Sequence, residues 1–202
     1  RGYTVTTGVW VRGILNSIYG VDLDKVTWVL SGDEHVAEYV APSNVETAEG
    51  GDLGAMLASG DIDAAIGAPA TDSPNIQPLI PDARNAGAEY FQKTGIYPIN
   101  HAVVVRDEVL DANPWLAEEL FGMFTTAKDT YLEGIRSEGY DLTPADQALL
   151  DVFEIVGDDP LPYGVESGLP ALEALIQFCV DQRVIPERVD PEQVFAASAL
   201  KL

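Results

Sequence analysis

The stretch from Asp52 to Pro69 constrains the fold more than any other. Asp52 to Ala58 places Leu53, Met56 and Leu57 on one side, the spacing of a short helix. Ser59-Gly60-Asp61 stops it, Ile62 to Ile66 reads as a strand, and Gly67-Ala68-Pro69 breaks the chain. Helix, tight turn, strand and Gly-Pro break together spell a largely parallel sheet with helices packed on it. The expected fold class is therefore α/β.

The flanking segments extend this pattern. Val9 to Tyr19 reads as a helix, with Val11, Ile14, Leu15 and Ile18 as its buried face, Thr6 or Thr7 as cap and Gly20 as stop. Lys25 to Leu30 is β-branched and aromatic, hence a strand. Thr71 to Gly95, with Pro74, Pro78 and Pro81, reads as loop. Tyr97 to Val105 reads as a strand with a polar opening, a crossing between lobes. Beyond it the chain turns helical. Asn113-Pro114 caps a long helix with Leu116, Leu120, Phe124, Ala127, Tyr131 and Ile135 on one face. Thr143-Pro144 starts the next. Pro170 opens a third, with Leu172, Leu175, Ile176, Cys179 and Val180 inward. Asp190-Pro191-Glu192-Gln193 is a capping box for the last. So few strands for so many helices is the expectation for a sheet partly missing from the N-terminal side.

The 202 residues allow one large domain or two small ones. With 33 acidic residues against 11 basic ones, the formal net charge is −22. Such a surface repels phosphate backbones and anionic headgroups, so nucleic acid and membrane surfaces are disfavoured as partners. No run approaches the ~20 apolar residues of a membrane span. The lone Cys179 cannot form an internal disulfide. Arg1 opens the chain with no leader pattern, which reads as a trimmed start or a fragment. The acidity fits a high-salt milieu as well as a mild bias of composition. In the first case the melting temperature rises with KCl as screening weakens the self-repulsion; a melting temperature that does not rise with KCl counts against it.

Nucleotide-binding glycine loops, a GxSxG elbow, an EF-hand loop and zinc spacings are all missing from the sequence, so no cofactor and no metal is expected from a motif; a carboxylate-bound Mg²⁺ or Ca²⁺ stays open, with no motif behind it. Four places could carry chemistry. The first is the helix start Thr6-Thr7-Gly8-Val9-Trp10-Val11-Arg12. Free N–H groups and a guanidinium suit a carboxylate there; the plain alternative is a cap and a surface ion pair. The second is His101 with Tyr97 and Asn100, where the imidazole is a general acid or a structural histidine. The third is Tyr163 in Leu161-Pro162-Tyr163-Gly164, presented to a cleft or packed on the following helix. The fourth and weakest is Asp61, Asp63 and the Gly67-Ala68 strand end. His35 reads as a solvated loop residue and Cys179 as a buried, inert thiol.

Four segments in order carry a family resemblance. They are Gly8-Val9-Trp10-Val11-Arg12-Gly13-Ile14-Leu15 with Tyr19-Gly20-Val21, Tyr97-Pro98-Ile99-Asn100-His101 with Val103 to Arg106, Asn113-Pro114-Trp115, and Leu161-Pro162-Tyr163-Gly164 with the helix Leu172 to Ile185 and Pro186. Together they resemble the 4,5-dihydroxyphthalate decarboxylase family over nearly the whole chain. The resemblance implies a type 2 periplasmic-binding-protein-like fold, two α/β lobes with a ligand cleft between them. Residues 1–98 then supply lobe two and 99–202 the C-terminal, mainly helical part of lobe one, with the opening of lobe one lacking.

The resemblance also implies a lyase of aromatic-compound degradation. Such an enzyme protonates the ring carbon bearing a carboxylate, and the resulting dienone accepts the electrons as CO₂ leaves. His101 is then the proton donor and the catalytic residue. Thr6, Thr7 and Arg12 anchor the retained carboxylate, Trp10 and Tyr163 contact the ring, and Tyr97 and Asn100 complete the substrate-binding set. The partner is a small aromatic carboxylate; a homo-oligomer is left open. The alternative is a transport-type solute-binding protein for an aromatic or heterocyclic carboxylate. An enzyme would be cytoplasmic; a solute-binding protein would be periplasmic or extracellular. Fold alone does not choose between them.

Overall fold

The computed structural model describes residues 2–48, 52–67, 73–157 and 159–202. Chain contacts group it into two compact units, 1–83 with 174–188 and 84–173 with 189–202. The helix bounded by Val165–Asp181 supplies residues to both groupings.

The first unit opens with α1, Thr6–Tyr19. Gly20 ends it in the left-handed conformation at φ 69°, where glycine carries no Cβ penalty. A 3-10 turn, Leu23–Lys25, leads into β1, Trp28–Leu30. β1 pairs in parallel with β2, Val45–Thr47, in the register Trp28 to Val45 and Leu30 to Thr47. Next comes α2, Leu53–Ser59, capped by the Asp52 carboxylate and stopped by Gly60 at φ 81°. Helices with a small parallel sheet of two strands among the described residues are compatible with the expected α/β class.

The core of this unit forms where α1 meets the C-terminal half of the Val165–Asp181 helix. Val9 and Trp10 are buried, and Trp10 meets Phe178 edge-on at 5.7 Å and 89°. Such a ring pair contributes about 0.5–1.5 kcal/mol beyond its buried area. The inward face of α1 differs from expectation. Val9, Trp10, Arg12 and Gly13 are buried, Val11, Ile14 and Leu15 only partly so, and Ile18 is exposed. The apolar spacing pointed elsewhere because it assumes that an arginine faces water. Neither Thr6 nor Thr7 caps the helix: both lie within it, and Val5 holds the cap position without a side-chain bond.

Two strand expectations in this unit are corrected. Lys25 ends the 3-10 turn and residues 26–27 precede the strand, which covers only Trp28–Leu30. Ile62 to Ile66 forms no strand, because the Asp61 and Ile62 N–H groups both turn back to the Met56 carbonyl to close α2. Ala68, Pro69 and Thr71 lie outside the described residues.

The second unit is helical: α3 Ala83–Thr94, α4 Asp107–Ala112, α5 Leu116–Arg136, α6 Pro144–Val156, α7 Val165–Asp181 to residue 173, and α8 Pro191–Val194. α3 replaces the end of the expected loop, since the three prolines all precede it. Tyr97 to Val105 lacks strand pairing. Val103 and Val104 stand 64% and 89% exposed there, so the apolar run has no ladder to join. Asn113 ends α4 rather than capping α5, its side-chain amide donating to the Val109 carbonyl. On α5, Leu116, Leu120 and Ile135 face inward as expected. Phe124, Ala127 and Tyr131 are exposed, and Phe121, Thr125, Lys128 and Leu132 take the inner side.

Thr143 and Asp146 form a reciprocal capping box on α6, and Asp190 with Gln193 forms another on α8. α7 begins five residues before Pro170, which lies inside the helix, yet its inner stripe through Ile176 holds.

Candidate functional site

The first unit encloses one unusual charge. Arg12 is 4% exposed. On a helix, side chains lean toward the N-terminus, and this one runs back to the level of Gly8. A Cβ on Gly8 would stand 2.9 Å from Arg12 Nη1, so glycine leaves room for the guanidinium. Arg12 Nε donates to Gln182 Oε1 at 2.7 Å, and Nη2 donates to the Tyr3 carbonyl at 2.6 Å. Gln182 is itself 3% exposed and donates from Nε2 to the Val9 carbonyl at 2.9 Å. The guanidinium carbon lies 3.9 Å from the Tyr3 ring centroid and 5.5 Å from that of Trp28.

These are neutral partners. Among the described residues no carboxylate lies within ion-pairing distance of Arg12. Burying a cation costs several kcal/mol. Charged hydrogen bonds of about 1.5–3 kcal/mol each and ring faces at about 2 kcal/mol offset this. Burial lowers the Arg12 pKa, opposed by Tyr3, Tyr39, Cys179 and Glu34; the group stays charged.

Around this centre lie groups that the sequence did not single out. The Tyr3 ring stacks on Tyr39 at 6.3 Å and 8°. Tyr39 Oη donates to the Arg183 carbonyl at 3.1 Å, and burial pushes its phenol up to about 12. Arg183 follows α7 at φ 59°, a left-handed position usually given to glycine. Its N–H bonds the Val180 carbonyl and that of Val184 bonds Cys179, so it closes a Schellman turn. Tyr39 and Arg183 line an open cleft of about 410 Å³ over Val180, Val184 and Ile185.

Glu34 reaches the turn just before α1. Its carboxylate accepts from the Tyr3 N–H at 2.6 Å, the Thr4 N–H at 3.2 Å, the Thr4 hydroxyl, and the His35 N–H at 2.9 Å. A glycine-tyrosine-threonine turn opposite an acid thirty residues away carries no local sequence signal. Gln182 and Arg183 at a helix end are equally silent. Only the arginine in an apolar helix was a visible mark.

The expected site residues divide between the units. Thr6, Thr7, Trp10 and Arg12 belong to the first, with Thr6 half-buried, Thr7 exposed and Trp10 packed on Phe178. Tyr97, Asn100, His101 and Tyr163 belong to the second. His101 and Asn100 are exposed on the segment between α3 and α4. Tyr97 is half-buried, which raises its phenol, and lines a cavity of about 230 Å³ with Phe91, Ile99 and Pro162. Tyr163 is exposed, with Lys128 Nζ 5.0 Å from its ring centre; Lys128 also pairs with Asp159 at 2.6 Å. Asp61 accepts from Ser59, and Asp61 and Asp63 are exposed. His35 is exposed, and burial raises the Cys179 thiol.

No family model matches the chain. Two curated decarboxylases do. Each bears the name 4,5-dihydroxyphthalate decarboxylase, and they bear out the resemblance seen in the sequence. The protein from Comamonas testosteroni is 26% identical over 215 residues, covering 98% of this chain and 65% of the relative. The one from Pseudomonas putida is 34% identical over 103 residues, 45% of this chain and 40% of that protein. The chain thus spans just under two thirds of the first relative's length. Among the described residues, no helix is long and apolar enough to cross a membrane.

Proposed function

We propose that this chain forms part of a carboxy-lyase that acts on a dihydroxylated aromatic dicarboxylate of the 4,5-dihydroxyphthalate type. In this reading the fold is the two-lobed, type 2 periplasmic-binding-protein-like one, with residues 1–98 drawn from lobe two and 99–202 from lobe one. The enzyme works in the cytoplasm on a small aromatic carboxylate.

One observation supports it most: a buried guanidinium, Arg12, whose hydrogen-bond partners among the described residues are neutral, in a chain similar along 98% of its length to a decarboxylase. A buried cation with no carboxylate within ion-pairing distance among the described residues has room for an organic anion to complete its charge. Val5 supplies no side-chain cap at the head of α1, which adds its own positive end. Arg12 with the Thr6-Thr7 start of α1 anchors the retained carboxylate. His101 supplies the ring proton to the carbon bearing the departing group. The C–C bond then breaks, CO₂ leaves, and its electron pair restores the aromatic ring.

Incubating the intact protein with 4,5-dihydroxyphthalate is expected to release one CO₂ per substrate consumed, with a change in the ring's ultraviolet spectrum. Arg12→Met is expected to weaken binding of the dicarboxylate by about 10- to 100-fold, the worth of one charged hydrogen-bonded contact. No CO₂ from the unmodified protein defeats the lyase assignment, and unchanged affinity in Arg12→Met removes the anchor.

A further inference from the structure

We propose that the Tyr3-Thr4 turn is a carboxylate-recognition site for the substrate, and that Glu34 occupies it as an internal stand-in until the substrate carboxylate displaces it. This deepens the function proposed above and rests on it.

The turn already holds a carboxylate in this structure. Two backbone N–H groups and the Thr4 hydroxyl converge on the Glu34 oxygens. Three donors from two adjacent residues match what a free carboxylate needs, since its oxygens only accept. The Tyr3 residue that donates its N–H also offers its carbonyl to Arg12 Nη2. One residue therefore links the bound carboxylate to the buried cation, which among the described residues has no carboxylate within ion-pairing distance. The turn is pre-shaped: Tyr3 is 3% exposed, stacked on Tyr39 and covered by the Arg12 guanidinium.

Glu34 is placed to leave. It lies on the bend between β1 and β2, where residues 31–40 form no helix or strand. Its neighbours Asp33, His35 and Val36 are exposed. The Glu34 side chain can swing out while its backbone stays packed against Gly2, and no strand ladder runs through it. Burial raises the Glu34 pKa, but the hydrogen bonds from Thr4, His35 and Tyr3 outweigh it and hold the group below the usual carboxylate value. The stand-in is thus charged at neutral pH, as the substrate carboxylate is.

An internal occupant reduces apparent affinity by the fraction of time it leaves the site free. Removing it must therefore tighten ligand binding, the opposite of what damage to a structural contact does. The probe is phthalate, titrated calorimetrically into the intact protein and its variants. Glu34→Ala is expected to bind phthalate at least about tenfold tighter than the parent, and Glu34→Gln, a poorer acceptor of the same shape, is expected to bind it tighter by a smaller factor. Thr4→Val, which loses the hydroxyl donor, is expected to bind it more weakly. In the unmodified protein, saturating phthalate is expected to shift the Tyr3 and Thr4 amide resonances. That measurement decides the matter where a variant fails to fold.

Equal or weaker binding in both Glu34 variants overturns the proposal, as do unmoved Tyr3 and Thr4 amides. Weak binding in Arg12→Met without any gain in the Glu34 variants defeats this inference alone. A gain in the Glu34 variants with Arg12→Met unchanged defeats the anchor role of Arg12 and leaves the turn as the site.

Discussion

Gly13→Ala is expected to destabilise the first unit by about 1–3 kcal/mol, the range for forcing extra atoms into a filled core. The sign is the informative part. In an exposed helix interior, alanine for glycine stabilises by roughly 1 kcal/mol. Here the new Cβ would lie 2.3 Å from Phe178 Cδ2, 2.4 Å from Cγ and 2.6 Å from Cε2. The ring cannot simply retreat, because the buried Trp10 meets it edge-on from the same helix that carries Gly13. Glycine is needed for close approach and not for its backbone freedom, since Gly13 sits in the middle of α1. Urea unfolding of the two proteins measures the difference. A stabilised Gly13→Ala variant would falsify the packing of α1 on Phe178. Gly8 is a milder case, since the atom nearest its added Cβ is the end of the Arg12 side chain.

Capping boxes and glycine stops show in the residues themselves, although the Thr6/Thr7 and Asn113 caps do not form; what depends on distant partners does not show. Thr143-Pro144 with Asp146 and Asp190 with Gln193 form their caps from neighbours three residues apart. Gly20 and Gly60 stop their helices because a left-handed residue is a local demand. Strands need a distant partner, so of the three expected only Trp28–Leu30, inside the Lys25 to Leu30 run, forms one. The three residues of β2 are too few to show an alternation, and Val103 and Val104 are apolar enough to suggest a strand that no described residue pairs. The same limit applies at the site. Arg12 stood out as a cation in an apolar helix, but Gln182 lies 170 residues away along the chain, and only folding brings its amide to the guanidinium. Glu34 meets Thr4 across thirty residues in the same way. Arg183 spends left-handed strain, about 1–2 kcal/mol, where glycine is usual. Its carbonyl holds Tyr39 and its guanidinium pairs with Asp24 at 3.1 Å. The backbone bond needs only the turn, whereas the ion pair needs the arginine.

His101→Gln is expected to lower turnover by about 10²- to 10⁴-fold while leaving substrate affinity and stability almost unmoved. The separation follows from where the residue lies. His101 is exposed, on a segment with neither helix nor strand between α3 and α4. An exchange at such a place usually changes stability by no more than about 0.5 kcal/mol. Glutamine keeps a hydrogen-bonding side chain of similar reach but has no proton that it can release and regain near neutral pH. In the proposed reaction, ring protonation must precede loss of CO₂, because the C–C bond has nowhere to send its electrons until the ipso carbon has been protonated. A donor removed at that step therefore slows kcat and spares KM. Steady-state CO₂ release together with a thermal melt reads both quantities on one preparation. Full turnover in the glutamine variant excludes His101 as the donor. A parallel loss of melting temperature would instead assign the histidine a structural part, which its exposure argues against.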